Sequence, residues 1–532
     1  MTTAPSRPTL ENDASVAPQS PPNHEVELKL LAPPGSLAAL RDAPAIVRYA
    51  RNAGATRQLD ASYYDTPDRA LFNHGLSLRV RRSGKRHVQT LKRGPAHGKP
   101  FVRQEWEAVV SSMTPDLTCL PIAQIGAPLN GLAPDTLEAV FTTKVRRRVQ
   151  HLELPDAVIE VAFDEGIIEA GARREKLAEI ELEVKAGDAS VIYDLGTQLL
   201  EIAPLCVGTL SKSDRGYALA FDLKPETTKA QAPGISPKHT VDELIPAILG
   251  SCQHHVLANQ ATAMQGHNAE AVHQMRVGLR RLRTACSLLY REVGSPALQV
   301  FAAEAQWMAR LLGAARDWDV FVTDTLHGPA QAGPEDVDLD ALRHAAAPHR
   351  AANYAAVQEA LAQPRYNRFQ LSLSSWIACH AWRNELDGKR LVVLTESAPA
   401  FAERVLARLH RKALRRGAHF ARLAPKERHK LRIALKKLRY ATEFFQLLYT
   451  HATTVKRFLK NVAHLQDALG HDNDVATTQP LLRALTSDPI APELHRAIGV
   501  VIGWQARDRI AVHKTLRKLW RRFKTMPAFW PG

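Results

Sequence analysis

Two carboxylates and an ammonium share one side of a single short segment, His24-Glu25-Val26-Glu27-Leu28-Lys29-Leu30. Val26, Leu28 and Leu30 alternate with the charged residues. That alternation predicts a β-strand, whose successive side chains point to opposite faces. The arrangement recurs. Arg79 and Arg81 stand in Ser-Leu-Arg-Val-Arg, Arg103, Glu105 and Glu107 in Arg-Gln-Glu-Trp-Glu, and Glu179, Glu181, Glu183 and Lys185 in Glu-Ile-Glu-Leu-Glu-Val-Lys. Such strands side by side make a sheet or barrel with one apolar face and one face dense in both signs of charge. Arg and Lys bind phosphate oxygens, Arg often through two parallel bonds. Carboxylates hold Mg2+ or Mn2+, which in turn bridge phosphate oxygens. The mixed face therefore suits a polyanion carried with a divalent metal. Solvent-facing strands laced with cross-strand ion pairs are the plainer reading of the same pattern.

Further motifs follow in order along residues 24–222. They are Tyr63-Tyr64-Asp65-Thr66-Pro67, Leu78-Arg79-Val80-Arg81, Thr90-Leu91-Lys92, and Arg147 in the basic run after Phe141-Thr142-Thr143. Glu160 with Asp164-Glu165-Gly166 reads as an acidic strand and turn, and the acidic strand of Glu179 to Glu183 comes next. Ser211-Lys212-Ser213-Asp214-Arg215-Gly216-Tyr217 closes the series. Beginning with Glu25-x-Glu27-x-Lys29, these elements resemble the motifs of the CYTH superfamily, the triphosphate tunnel metalloenzymes. The resemblance implies an eight-stranded antiparallel β-barrel whose charged lumen binds triphosphate. It implies that Lys29, Arg79, Arg81, Lys92, Arg147 and Lys212 hold phosphates. Glu25 and Glu27, with members of Glu179, Glu181 and Glu183, would carry Mg2+ or Mn2+, and Glu105, Glu107, Glu160 and Asp164 are candidates for metal or water contacts. Residues 144–148 offer more than one candidate for the tunnel arginine.

The elements that position these groups make up less than half of the 532 residues, a length that predicts two to four domains. Residues 1–23, rich in Pro, Ser and Thr without an apolar core, are expected to be a disordered tail rather than a signal peptide. Five widely spaced cysteines with no CxxC pair argue against a zinc ribbon or disulfide scaffold and fit a reducing, cytoplasmic setting. No stretch of about 18 apolar residues predicts a membrane span. Charge is uneven: residues 231–532 hold 42 Lys and Arg against 25 Asp and Glu, leaving 28 against 29 in residues 1–230. The basic excess points to a polyanionic partner for the second part.

Residues 223–237 read as a Pro-containing linker. Beyond it an all-α texture begins, and one segment appears twice. His273-Gln-Met-Arg276-Val-Gly-Leu-Arg280-Arg281-Leu-Arg283 is echoed 156 residues later by His429-Lys-Leu-Arg432-Ile-Ala-Leu-Lys436-Lys437-Leu-Arg439. Downstream, Arg316-Asp317-Trp318-Asp319-Val320 is echoed by His471-Asp472-Asn473-Asp474-Val475. An internal repeat of this length predicts two related helical bundles packed as one body. At about 100° per residue, His273, Arg276, Arg280 and Arg283 share one helix face, and His429, Arg432, Lys436 and Arg439 share its counterpart. Stacked cations repel unless an anion or acidic partner compensates. Asp317, Asp319, Asp472 and Asp474 could pair with some of them. Over about residues 238–525 these motifs resemble the CHAD domain, often found behind CYTH. The resemblance implies a helical fold that binds inorganic polyphosphate through its basic face. Residues 328–340 read as an acidic Pro/Gly loop between the repeats.

The sequence thus predicts an α+β chain, a barrel followed by a helical domain. The two resemblances imply a metal-dependent inorganic triphosphatase, cleaving tripolyphosphate to pyrophosphate and phosphate, with an appended polyphosphate-binding module that should be separable from it. Rival readings are another triphosphate enzyme on the same barrel (adenylate cyclase, thiamine triphosphatase or RNA 5′-triphosphatase) and a non-enzymatic polyphosphate scaffold. Aromatic content of 6%, with none interleaved in the basic stripes, weighs against single-stranded nucleic acid as partner.

Overall fold

The computed structural model describes residues 23–94, 102–120, 122–126, 129–224, 226–486 and 492–531. The expected N-terminal tail lies outside them, apart from Asn23. Among the described residues nine antiparallel strands come first: β1 (Asn23–Leu31), β2 (Ala55–Asp65), β3 (Leu76–Ser83), β4 (Arg86–Arg93), β5 (Val102–Val110), β6 (Glu138–Glu153), β7 (Ala157–Ala170), β8 (Arg173–Gly187) and the short β9 (Cys206–Val207). They pair in the order β5-β4-β3-β2-β6-β7-β8-β1, and β1 returns to β5 through residues 23–26, closing eight strands into a barrel. β9 extends the sheet from the far end of β1, opposite Leu30 and Leu31.

Where helices and loops cover it the barrel is apolar outside, and its lumen is charged apart from a small apolar group of Leu59, Val145 and Leu177. Leu28, Leu30, Ile159, Val161, Ile180 and Leu182 point outward and are buried beneath helix α1 (Val191–Leu199), which contributes Ile192, Leu195 and Leu199. On another flank Leu76, Leu78, Leu91 and Trp106 are covered by Leu117, Leu120, Ile125 and Leu129. With its apolar residues committed outward, the period of two sends the charged residues to the lumen. Asp65 ends β2 as a buried hub. Its carboxylate accepts from the backbone N–H of Thr66, Leu71 and Phe72 and, at 2.7 Å, from the Tyr217 hydroxyl. Tyr217 lies on α2 (Lys212–Phe221), begun by a capping box of Ser211 and Asp214. The turn expected at Asp164-Glu165-Gly166 is absent, because β7 runs straight through it. Gly166 is there for close approach: a Cβ would stand 2.1 Å from the carbonyl oxygen of Lys144 on β6.

The second part is helical. Its long elements are α3 (Val241–Leu257), α4 (Ala269–Glu292), α5 (Ala297–Val320), α6 (Asp340–Ala362), α7 (Pro364–Ala378), α8 (Ala398–Arg416), α9 (Pro425–Phe445), α10 (Ala452–Leu485) and α11 (Pro492–Thr525). The repeated segment forms α4 in the first copy and α9 in the second; each packs against the helix that follows, α5 or α10. A single apolar cluster runs through both copies, with Met275, Leu279 and Leu282 of α4 joined by Leu431, Leu435 and Leu438 of α9. Residues 328–340 are not wholly loop, since His327–Ala332 is helical. Residues 226–237 are no free linker either. Thr228 and Asn259 exchange two hydrogen bonds, Arg281 donates to the carbonyl of Gln231, and Ile235 is buried. The two parts also share a packed seam: Leu257 and Leu371 complete the cluster beneath α1, and Ser375 donates to Asp194 at 2.8 Å.

Candidate functional site

Strand register assembles the lumen from residues far apart in sequence. Lys29 on β1 lies opposite Glu181 on β8, and Glu179 lies opposite both Leu31 and Asp164 of β7. The Lys29 ammonium sits 2.7 Å from Glu179, contacts Glu181, and is 3.5 Å from Glu27. Lys212, the first residue of α2, reaches in from the end and meets Asp164 at 2.7 Å, Glu181 at 2.8 Å, and Glu179. Arg147 grips Asp164 with two parallel bonds of 2.7 and 2.6 Å and also touches Glu181. Across the lumen, Glu105 pairs with Lys92 at 2.5 Å and Arg79 at 3.9 Å, while Glu107 accepts from Thr90 and lies 3.6 Å from Arg81. The basic run resolves by parity: Arg146 turns out to Glu165 and Arg148 to the carbonyl of Ala53, leaving Arg147 inside.

These groups line a cavity of about 400 Å3, with Lys29, Arg79, Arg81, Lys92, Arg147 and Lys212 on its wall beside Glu27, Glu105, Glu107, Glu160, Glu181 and Glu183. A second cavity on the barrel shares Arg81, Glu107, Arg147 and Glu160 with the first and adds Arg57 and Arg86. Burial opposes the charge of Lys29 and Lys212, yet Glu179 and Glu181, with Asp164 beside Lys212, outweigh it, so both ammoniums are held protonated. Glu181 is held well below the ordinary carboxylate range: Lys212, Lys29 and Arg147 overcome its burial. Arg81 behaves differently. Neighbouring Arg79, burial and Arg147 push it down to about 10.

Among the described residues one group of carboxylates has the spacing to hold a cation, and a second row faces the same lumen. Asp164, Glu179 and Glu181 bring oxygens within 4.8 Å of one another, but Lys29, Arg147 and Lys212 already neutralise them. Glu27, Glu183 and Glu160 lie abreast on β1, β8 and β7. Burial raises the pKa of Glu183, and Glu160 and Glu27 add to the effect against the opposing Lys185. The row offers hard oxygen donors of the kind Mg2+ or Mn2+ takes, set wider apart than those of Asp164, Glu179 and Glu181, and Lys29 and Lys185 face two of its three carboxylates. The side chain of Glu25 lies outside the described residues.

In the helical part the two basic stripes meet. Lys436 on α9 is pushed down to about 7 by burial and by Arg432, Arg280, Arg276 and Arg439, which places residues of α4 and α9 in one electrostatic cluster. Arg276 is lowered by burial and by Arg280, and His273 by burial and by Arg316. Among the described residues, the buried Nδ1 of His273 and Nε of Arg280 have no hydrogen-bond partner. Arg283 turns to Gln306 at 2.9 Å and Arg439 to Glu443 at 2.8 Å; His429 is exposed. Asp317 lies 3.9 Å from Arg276. Asp319 does not serve the stripe: it is buried against Tyr354 and Arg350, at 2.8 and 2.7 Å. The side chains of Asp472 and Asp474 lie outside the described residues.

Residues 23–217 match the family model of the CYTH domain, and residues 247–483 that of the CHAD domain. The chain is a CYTH–CHAD protein. An inorganic triphosphatase of Haemophilus influenzae is 32% identical over 173 residues, covering 30% of this chain and 46% of the relative. An uncharacterized protein of Mycobacterium tuberculosis is 26% identical over 284 residues, 50% of this chain and 52% of that one. The chain thus spans about half the length of these curated relatives. The crystal structure of the CHAD domain from the plant Ricinus communis is 32% identical, with a TM-score of 0.48 over 57% of this chain and 98% of that one.

Within the CYTH domain three participants carried no role in the sequence reading. Arg215 pairs with Glu175 and stands 3.5 Å from Glu179; Lys185 balances Glu183; Tyr63 supports the charge of Arg79. Strand parity puts Lys185 on the face of the three glutamates, whereas the contact of Arg215 depends on where α2 docks. Within the CHAD domain, Gly313 on α5 and Gly470 on α10 each lie against an arginine of the repeated helix. The guanidiniums of Arg276 and Arg432 lie 3.5 and 3.4 Å from where a Cβ would be.

Proposed function

We propose that the CYTH domain hydrolyses inorganic tripolyphosphate to pyrophosphate and phosphate with Mg2+ or Mn2+, and that the CHAD domain holds inorganic polyphosphate. The observation that supports this reading most is one cavity lined by six cations, with the carboxylates of Glu27, Glu160 and Glu183 abreast on its wall. Lys29, Arg79, Arg81, Lys92, Arg147 and Lys212 bind and orient the phosphate chain. Displacement of their present carboxylate partners by phosphate oxygens keeps each cation paired. Glu27, Glu160 and Glu183 would hold the metal, which when bound neutralises phosphate oxygens as a Lewis acid. Glu160 also borders the second cavity and is placed to orient the attacking water. As the bond from terminal phosphorus to bridging oxygen breaks, charge grows on the leaving pyrophosphate. Fixed cations stabilise that charge without reorganisation, which is most of what phosphoryl transfer asks of a protein. In the CHAD domain, the meeting of Arg276, Arg280, Arg432 and Lys436 supports a polyanion site.

The test is a panel of tripolyphosphate, ATP, thiamine triphosphate and long-chain polyphosphate, assayed with Mg2+, Mn2+ or excess EDTA. Phosphate release from tripolyphosphate should far exceed that from the nucleotide and stop in EDTA. Undiminished turnover in EDTA, or ATP as the better substrate, refutes the reading.

A further inference from the structure

The strand that flanks Lys29 is held from the other domain. β9 pairs with β1 through Leu30 and Leu31, and the N–H of Gly208, just after it, donates to the carbonyl of Lys29 at 2.8 Å. Gly208 also forms the floor under the lysine: a Cβ there would stand 2.9 Å from Lys29 Cγ and 3.1 Å from its Cδ. β9 is the terminal strand of the sheet, so the backbone groups on its open side need partners from elsewhere. At Val207 both come from the helical domain. Its N–H donates to Asn367 Oδ1 at 2.8 Å, and its carbonyl accepts from Gln260 Nε2 at 3.0 Å.

These two amides are themselves fixed. Asn367 and Gln260 are 0% and 2% exposed. Asn367 spends its two N–H donors on the carbonyls of Leu361 and Gln363, at 3.1 and 3.0 Å, and Gln260 accepts from the Tyr366 hydroxyl at 2.9 Å. Neither side chain can turn away without leaving a buried polar group unsatisfied, which costs about 1–3 kcal/mol. Other seam contacts, Ser375 to Asp194 and Arg368 to Glu201, join α7 to α1 and its C-terminal end and touch neither β9 nor Lys29.

We infer that Asn367 and Gln260 are positioning residues for the tunnel: by clamping Val207 they fix Gly208, and through it the Lys29 stem and ammonium. The helical domain is then a structural part of the phosphate site, and the two parts are not separable modules. This rests on the reading of Lys29 as a phosphate ligand, and the test keeps the two apart.

In the full chain, Asn367→Leu and Gln260→Leu are each expected to raise KM for tripolyphosphate about tenfold with a smaller change in kcat, because misplacement of a substrate-binding group costs affinity first. Long-chain polyphosphate binding should stay within about twofold of the parent. Gly208→Ala, made wholly within the barrel, should give the same KM effect, and Gln260→Leu stands alone if Asn367→Leu does not fold. Arg368→Ala and Ser375→Ala should leave both constants unchanged. Parent kinetics in both clamp variants overturn the inference, as does an equal loss in Arg368→Ala and Ser375→Ala, which would make the seam generic. Lys29→Ala is the reference. If it abolishes turnover while the clamp variants do nothing, only the positioning role fails; if it leaves turnover intact, the tunnel reading fails and the positioning role with it.

Discussion

Glu27 and Arg81 face the same cavity and are expected to matter for different reasons. Glu27→Ala removes a proposed metal ligand, so kcat/KM should fall about 100-fold or more, and raised Mn2+ should restore part of it. Arg81→Ala removes a phosphate donor, with KM rising and no rescue at any metal concentration. Metal titrations of the two variants check this; superimposable curves would show that the division of roles is wrong. Parity along each strand made the facing of such residues legible, since a period of two leaves no choice once Leu28 or Leu78 is outside. Their partners were not legible. The pairing of Lys29 with Glu179 and Glu181 depends on a register set across some 150 residues of chain. Likewise Glu179, Glu181 and Glu183 look equivalent in sequence. They differ because Lys212 arrives on a helix that docks over only the first two.

At the level of elements, Gly166 separates a close approach from a turn. Gly166→Ala should destabilise the barrel by about 2–3 kcal/mol, because its Cβ meets the backbone of β6, which cannot rotate away as a side chain could. Gly171→Ala, at a positive φ of 57° with open space around it, should cost about 1 kcal/mol. Denaturant unfolding of the pair tests the contrast. The turn at Asp164-Glu165-Gly166 rested on the family resemblance, and only the pairing with β6 shows that β7 runs through it. Periodicity did place the two basic helices, but not their meeting, which is a packing fact. That meeting gives a pH dependence. The ammonium of Lys436 titrates near 7 in the folded protein against 10.5 ordinarily. From about 7 up to 10.5 the unfolded chain therefore binds more protons than the folded one, and folding stability is expected to rise with pH through that window. A polyanion restores the proton, so polyphosphate affinity should fall as pH rises from 7 to 9. Lys436→Arg, charged throughout, should flatten that fall in a binding titration; an unchanged slope would refute the role of Lys436.

For the molecule as a whole, the two domains answer differently to the ions around them. In the barrel Lys29, Arg147 and Lys212 face carboxylates, so added salt weakens attractions. Where α4 meets α9, like charges crowd one another, so the same salt relieves repulsion. Between low and moderate salt the CYTH part should thus lose protection against hydrogen exchange while the CHAD part gains it, and a parallel response would contradict this assignment of charge. The cations crowded between α4 and α9 set charge against fold locally, a conflict that an anion bound there would relieve. A polyanion held there, as proposed, would play the part that a structural ion plays in a small metal-organised fold, a piece of the folded state supplied from outside the chain, whose concentration would set how much of that stability is realised.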